Sequence, residues 1–307
     1  MGRFILLRLL QTVIAIIGIS LLIFILARAS GDPTLLMISG QATAEDIVVL
    51  RQELGLDKPV PEQYWIFIKN LAHGDLGDSL LKRRPVTEMI GERIINSITL
   101  SVFSFTIGTL IATTLGVVAA TRRDTWMDSA VKFLAILGQA MPIFWLGIMA
   151  IFIFSVQLRL LPTSGTGSLA HFVLPVATMA FFILPGVMRL VRSSMLDVLD
   201  SEYIKLARIK GLPEMKVIWK HALRNAMIAP LTVAGMIFAN MIAGAIIVET
   251  VFSWPGVGRL SYEAVMTRDF PVIQGVTLMV AALVLLVNLL VDITYAYIDP
   301  QIKYQRT

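Results

Sequence analysis

The sequence has no cysteine, which removes a disulfide framework, a thiolate nucleophile and cysteine metal sites from consideration. Charge is scarce too: 15% of the 307 residues are Asp, Glu, Lys or Arg against 56% hydrophobic, where soluble globular chains carry about 25% charged residues. A soluble core is thereby excluded as the main architecture. No Gly-Lys dipeptide occurs, so the loop that cradles nucleotide phosphates in P-loop ATPases cannot be built and any ATP energy must come from another polypeptide. The histidines, His73, His171 and His221, share no spacing with acidic residues that resembles a zinc-protease signature. A formal charge of +5 would hint at nucleic acid in a soluble chain. Here the basic residues flank apolar runs, and membrane orientation accounts for them instead.

What is present is a series of apolar runs. Leu9 to Ala27, preceded by Arg3 and Arg8, is long enough for a hydrocarbon core that needs about 20 residues. Ala27-Arg-Ala29 looks like a signal-peptidase site, but signal peptides have apolar regions of about 7–15 residues, so residues 1–29 read as a retained first span. Residues 30–93 are polar and read as a small extracytoplasmic insertion, in which Tyr64, Trp65, Phe67, Ile68 and Leu71 recur at helical spacing. Its Lys and Arg residues do not decide its side, because loops this long translocate largely regardless of charge. Residues 94–296 hold five further spans, near 95–120, 130–158, 171–191, 227–248 and 272–295, and residues 297–307 form a tail.

Within these spans, Gly108, Ala112, Gly116 and Ala120 recur at every fourth position, as do Gly235, Ala239 and Ala243; such stripes let helices approach closely. Pro142 is expected to bend the third span, and Pro175 and Pro185 to interrupt the fourth. Short inner segments carry Arg3, Arg8, Arg122, Arg123, the basic residues from Arg189 to Arg224, Lys303 and Arg306, whereas the short outer loops have Arg159, Arg259 and Arg268. Both termini are therefore expected inside. The fold class is all-α integral membrane protein with six transmembrane helices.

Chemistry inside the spans is sparse. Asp292, with Asn288 one turn earlier, lies in apolar sequence; intramembrane carboxylates point to function, but its closeness to the inner end favours a structural role. Glu249 reads as a boundary or gate group, Pro142 as a candidate pathway residue, and His221 as a polar residue near the bilayer surface rather than a ligand.

The longest inner segment, 192–226, is polar yet patterned. Asp200 is placed to cap a helix from Ser201, Glu202 to sit in its first turn, Lys210 in its last and Gly211 to stop it. Pro213 then opens a second helix towards Arg224. Tyr203, Ala207 and Gly211 fall on one side with Ile204 beside them, a face that suits either a protein partner or anionic lipid.

Ala207-Arg-Ile-Lys-Gly211, with His221-Ala-Leu-Arg-Asn225 and Pro230 behind it, resembles the cytoplasmic loop motif of ABC-importer permeases, EAA followed by three residues and glycine. Lys205 and Leu206 stand where that motif has glutamate and its first alanine. Leu54-Gly-Leu-Asp-Lys-Pro59, Gly74-Asp-Leu-Gly77, Arg189 to Leu199, Val251-Phe-Ser-Trp-Pro-Gly-Val-Gly-Arg259 and Arg268-Asp-Phe-Pro-Val272 resemble the dipeptide, oligopeptide and nickel permease subfamily. The resemblance implies a type-I transmembrane fold in a bacterial or archaeal inner membrane and no catalytic residue or bound cofactor in this chain. It implies a second permease, an extracytoplasmic substrate-binding protein and two ATPase subunits that bind ATP and Mg. Glu202, Tyr203, Ile204, Ala207, Arg208, Gly211 and His221 would lie in the ATPase-coupling loop. Dipeptides or oligopeptides are the implied substrates, with glutathione or a nickel complex as alternatives. An ion-coupled secondary transporter would instead require paired ionisable groups at mid-membrane and inverted repeats; neither is seen in the sequence. An intramembrane enzyme would require a nucleophile and base together in the spans.

Overall fold

The structure is a computed structural model that describes residues 2–29 and 57–298, with side chains over 7–29, 57–242 and 245–291. The regular structure among the described residues is helical. In chain order the helices are α1 (Gly2–Ala29), α2 (Val60–Ala72), α3 (Val86–Thr121), α4 (Trp126–Ala140), α5 (Ile143–Gln157), α6 (Leu169–Leu199), α7 (Glu202–Ile209), α8 (Glu214–Ala226), α9 (Ile228–Val251), α10 (Val257–Thr267) and α11 (Phe270–Ile298). α5 and α8 widen into π-helical turns over Ile151–Gln157 and Val217–Ala222. Of these, α1, α3, α6 and α11 are each long and apolar enough to cross a membrane, and two bent pairs, α4 with α5 and α8 with α9, bring the number to as many as six.

Two compact units are formed, residues 1–97 with 255–285 and residues 98–254 with 286–307. In the first, α2 packs on α1: Tyr64 shares a 3.0 Å hydrogen bond with Ser20, and Phe24 meets the rings of Tyr64 and Phe67 at 5.3 and 5.9 Å. Of the segment 30–93, expected to be an extracytoplasmic insertion, residues 57–93 are described: α2, the loop after it and the first residues of α3; residues 30–56 lie outside the described residues. The unit's other core joins Val86, Met89 and Ile90 of α3 to Val257, Leu260 and Ala264 of α10 and Val272 and Val276 of α11. Asp269, in the turn before α11, anchors the 73–85 loop. Its carboxylate accepts from the Ser79 hydroxyl at 2.5 Å and the Leu80 amide at 3.1 Å while almost fully buried.

The second unit is organised on α6, a 31-residue helix. Its partner α3 lies against it through glycine. A Cβ on Gly108 would stand 2.8 Å from the Ala180 carbonyl oxygen, and one on Gly116 would stand 2.8 Å from that of Met188. Positions eight apart on α3 thus meet positions eight apart on α6, so the two helices run in the same direction. Ala112 and Ala120, between and beyond these glycines, are buried. α4 packs on another side of α6, where Gly138 leaves room for the Pro185 ring at 2.8 Å from its would-be Cβ. Pro175 and Pro185 lie inside α6 without ending it.

At Pro142 the chain does more than the bend expected from sequence. α4 stops at Ala140, Met141 and Pro142 are extended (ψ 124° and 137°), and α5 leaves at 104°. The residue before a proline is pushed out of the helical region, and two extended residues in series turn the chain instead of kinking a helix. α4 alone has 15 residues, about 22 Å at 1.5 Å per residue, short of a hydrocarbon core of about 30 Å. A gentler break, 58°, separates α8 from α9 at Met227.

Gly116→Leu drives side-chain atoms into the Met188 backbone and Val191 and is expected to cost about 1–3 kcal/mol, lowering the melting temperature in detergent. Gly18→Leu, on an open face of α1, is expected to leave it unchanged. Asp269→Ala leaves the Ser79 and Leu80 donors without their acceptor, about 1–3 kcal/mol for buried groups. Faster amide exchange at Leu80, with no change in α2, is the expected readout.

Candidate functional site

Only Asp200 and Ser201 separate the long helix α6 from the short helix α7. Asp200 is the residue that ends α6, its amide donating to the Leu196 carbonyl at 3.3 Å, so it does not cap α7 as expected. Ser201 occupies the cap position with extended backbone, but its hydroxyl donates back to the Val198 carbonyl at 2.5 Å and makes no bond to α7's free amides. The link is therefore stitched to the end of α6.

α7 spans eight residues, about 12 Å long. Ile204 is fully buried and belongs to the same core as Val191, Met195, Val217 and Ala222, so this side chain pins α7 to its own chain. Helical spacing alone sets Ile204 beside the face expected to suit a protein partner or anionic lipid; the structure turns it inward. The C-terminus closes as expected. Gly211 adopts φ +75°, its amide donates to the Arg208 carbonyl at 2.9 Å and that of Leu212 to Ala207 at 3.4 Å. This is the paired-bond ending that a left-handed residue makes possible. Pro213 then precedes α8.

Across this turn Arg208 pairs with Glu214 through two hydrogen bonds of 2.8 and 3.3 Å. The Glu214 hydrogen bond raises the Arg208 pKa above its ordinary value. Asn225 donates to the Tyr203 hydroxyl at 2.8 Å, so both ends of α7 are tied to α8. Glu202 forms an exposed pair with Lys205 at 2.8 Å, a contact of little stabilising value. His221 is half-buried in the π-helical stretch of α8.

With Ile204 inside, the apolar residues left facing out are Tyr203, Leu206 and Ile209, the last 82% exposed, with Met215 and Trp219 on α8. Tyr203, Leu206 and Ile209 are spaced by three, so they form one stripe. Leu206 and Ile209 were not singled out from sequence; the signal was their spacing from Tyr203 on an otherwise charged helix. Ala207 is half-buried.

Behind the loop lies a polar cluster that sequence reasoning missed. Asp128 of α4 is fully buried and takes a bidentate grip from Arg192 of α6, Nε to Oδ1 at 2.6 Å and Nη2 to Oδ2 at 2.8 Å. Lys132 reaches Oδ2 at 2.8 Å and the Asp124 amide donates to it at 3.2 Å. The available signal was an i,i+4 Asp-Lys pair opening an apolar helix, with an arginine inside a second one.

The remaining candidates are dispersed. Glu249 is fully buried in α9, Ala239 is buried and Gly235 half-buried. The side chains of Ala243 and Asp292 lie outside the described residues.

Residues 112–304 match the family model for the binding-protein-dependent transport system inner membrane component, and residues 1–101 match the model for its N-terminal part. A putative peptide transport system permease protein of Brucella abortus is 40% identical over 99% of this chain and 100% of its own length. The glutathione transport system permease protein GsiC of Salmonella choleraesuis has the same identity and coverage. Among solved structures, the inward-facing MetNI methionine ABC transporter superposes with a TM-score of 0.58 at 15% identity, over 69% of this chain and 96% of that one. An amino acid ABC transporter gives 0.55 at 15% identity, over 69% and 94%. These two likenesses establish the type-I importer fold. The full-length matches establish that the chain belongs to the binding-protein-dependent transport system inner membrane component family and is a membrane permease subunit of an ABC importer.

Proposed function

We propose that this chain forms half of the translocation pathway of a peptide importer and that α7 is the helix through which an external ATPase drives it. The observation that carries the reading is the build of α7. It is short and rigid, fixed inward by Ile204 and outward-facing with an apolar stripe at Tyr203, Leu206 and Ile209. A stripe of that kind on a basic, water-facing segment is suited to a protein groove, and burying Ile209 and Leu206 there stabilises the complex by roughly 25 cal/mol per Å². Peptide as cargo is supported by the relatives named for peptide and glutathione transport, glutathione being itself a tripeptide.

In this reading two ATPase subunits bind ATP and Mg and hydrolyse the nucleotide. A homologous permease supplies the other half of the pathway, and a substrate-binding protein delivers cargo on the outer side. Both termini and residues 192–226 are cytoplasmic. Residues 30–93 are extracytoplasmic. ATP binding must favour one arrangement of the α7 helices over the other, because a partner that contacts both states equally shifts nothing. The buried position of Glu249 suits a boundary group better than a moving gate.

Co-expression with the products of adjacent genes and purification in mild detergent is expected to yield two ATP-binding proteins eluting with this chain. Ile209→Asp is expected to reduce that co-elution at least tenfold while the chain still inserts; unchanged co-elution would exclude the stripe as the docking surface. At Gly211 the left-handed backbone costs a branched residue about 1–2 kcal/mol and asparagine less. Uptake is therefore expected to fall in the order Gly211, Gly211→Asn, Gly211→Val. Full uptake by Gly211→Val would contradict a role for this turn.

A further inference from the structure

We infer that Asp128, Arg192 and Lys132 form a clamp that makes α4 and α6 one mechanical body, so that displacement of α7 is delivered to the break at Met141–Pro142. The inference rests on the functional reading of α7 given above. These are positioning residues: none is placed against cargo or nucleotide.

The geometry sets the clamp apart from an ordinary surface pair. Asp128 is fully buried, and its two oxygens receive Arg192 Nε and Nη2, Lys132 Nζ and the Asp124 amide at 2.6 to 3.2 Å. A planar guanidinium gripping a carboxylate by two parallel bonds fixes orientation as well as distance. Apolar contacts such as Gly138 against Pro185 hold α4 on α6. The bidentate charged bond adds a directional restraint on their register at the other end of α4.

Its position supplies the mechanical consequence. Arg192 lies eight residues before Asp200, about 12 Å up the same helix, and α7 follows after the two residues stitched to α6. Motion of α7 therefore enters α6 at its end. α4 runs opposite to α6, held at its start by the Asp128 clamp and near its far end by Gly138 against the Pro185 ring. Two attachments along one helix remove its freedom to pivot. Two residues beyond α4 the chain breaks by 104° into α5, whose Gly147 packs against Val251 and Phe252 at the end of α9. The clamp thus assigns α4 to the moving body; α5, beyond Met141–Pro142, packs on both α6 and α9, so motion of α4 and α6 reaches it through that joint together with its own contact on α6.

Stability alone is a poor reason for such a cluster, because well-packed apolar residues often replace a buried ion pair without loss. That property makes the test sharp. Three variants are reconstituted with the ATPases and the binding protein: Arg192→Lys, Asp128→Asn, and the double change Asp128→Leu with Arg192→Met. Uptake of labelled trialanine and the ratio of ATP hydrolysis with the binding protein to that without it are measured per assembled complex. Arg192→Lys is expected to retain part of the uptake through a single remaining bond. Asp128→Asn and the apolar double variant are expected to assemble yet to lose uptake at least tenfold, with the hydrolysis ratio falling towards one. The inference is overturned if the double variant transports within twofold of wild type. It is equally overturned if the variants lose only the amount of complex, with a normal ratio in what assembles, or if none assembles, since the cluster then serves folding alone. Failure of the wild-type chain to recruit ATPases would instead remove the functional reading on which the inference stands.

Discussion

Helices in lipid gain little by hiding apolar side chains from one another, because the surrounding acyl chains are as apolar as leucine. What holds the second unit together is therefore close backbone approach. Gly108 and Gly116 admit the Ala180 and Met188 carbonyls, and Gly138 admits Pro185, so that α3 and α4 rest on α6 with few atoms between them. Dispersion over such contacts is individually small and collectively large, and it is lost steeply when a side chain is inserted. Everything assigned to α7 depends on α6 being a stiff, well-seated shaft, and these contacts seat it.

Onto that apolar scaffold the chain adds a few directional polar bonds, each where a segment must be placed and not merely buried. Asp269 holds the 73–85 loop in the first unit. In the second, Arg208 and Glu214 brace the turn after α7, and Asn225 holds Tyr203. Polar groups are expensive to bury unless satisfied, so the buried and fully bonded carboxylates of Asp269 and Asp128 mark the places where geometry matters most.

The parts legible in the sequence are those fixed by local or strictly periodic rules. The small-residue stripe over Gly108–Ala120 shows a four-residue period, and Gly211 is read from the need for a left-handed residue after a helix. Apolar run length marked α1, α3, α6 and α11, and the resemblance of the loop motif to ABC permeases led to the family that the full-length matches establish. What failed required knowledge of the neighbours. Asp200 and Ser201 are both reasonable caps by type, and the choice was decided by where α6 ended. Ile204 has a helical period that fits two faces, and the core chose the inner one. Pro142 announces a disturbance, but its size came from Met141 also turning extended. The Asp128–Arg192 pair spans 64 positions, a distance over which no local pattern operates.

The central claim is mechanical: α4, α6 and α7 move together, driven from outside the chain. The cysteine-free sequence permits spin labels at Trp126 and Lys210, both exposed, in the assembled importer. Pulsed electron spin resonance between nucleotide-free and ATP-trapped states tests it most directly. The distance from 126 to 210 within one chain is predicted to stay constant, while that from 210 to the corresponding position of the second permease changes. A shift within the chain, or no change between the permeases, would contradict the account.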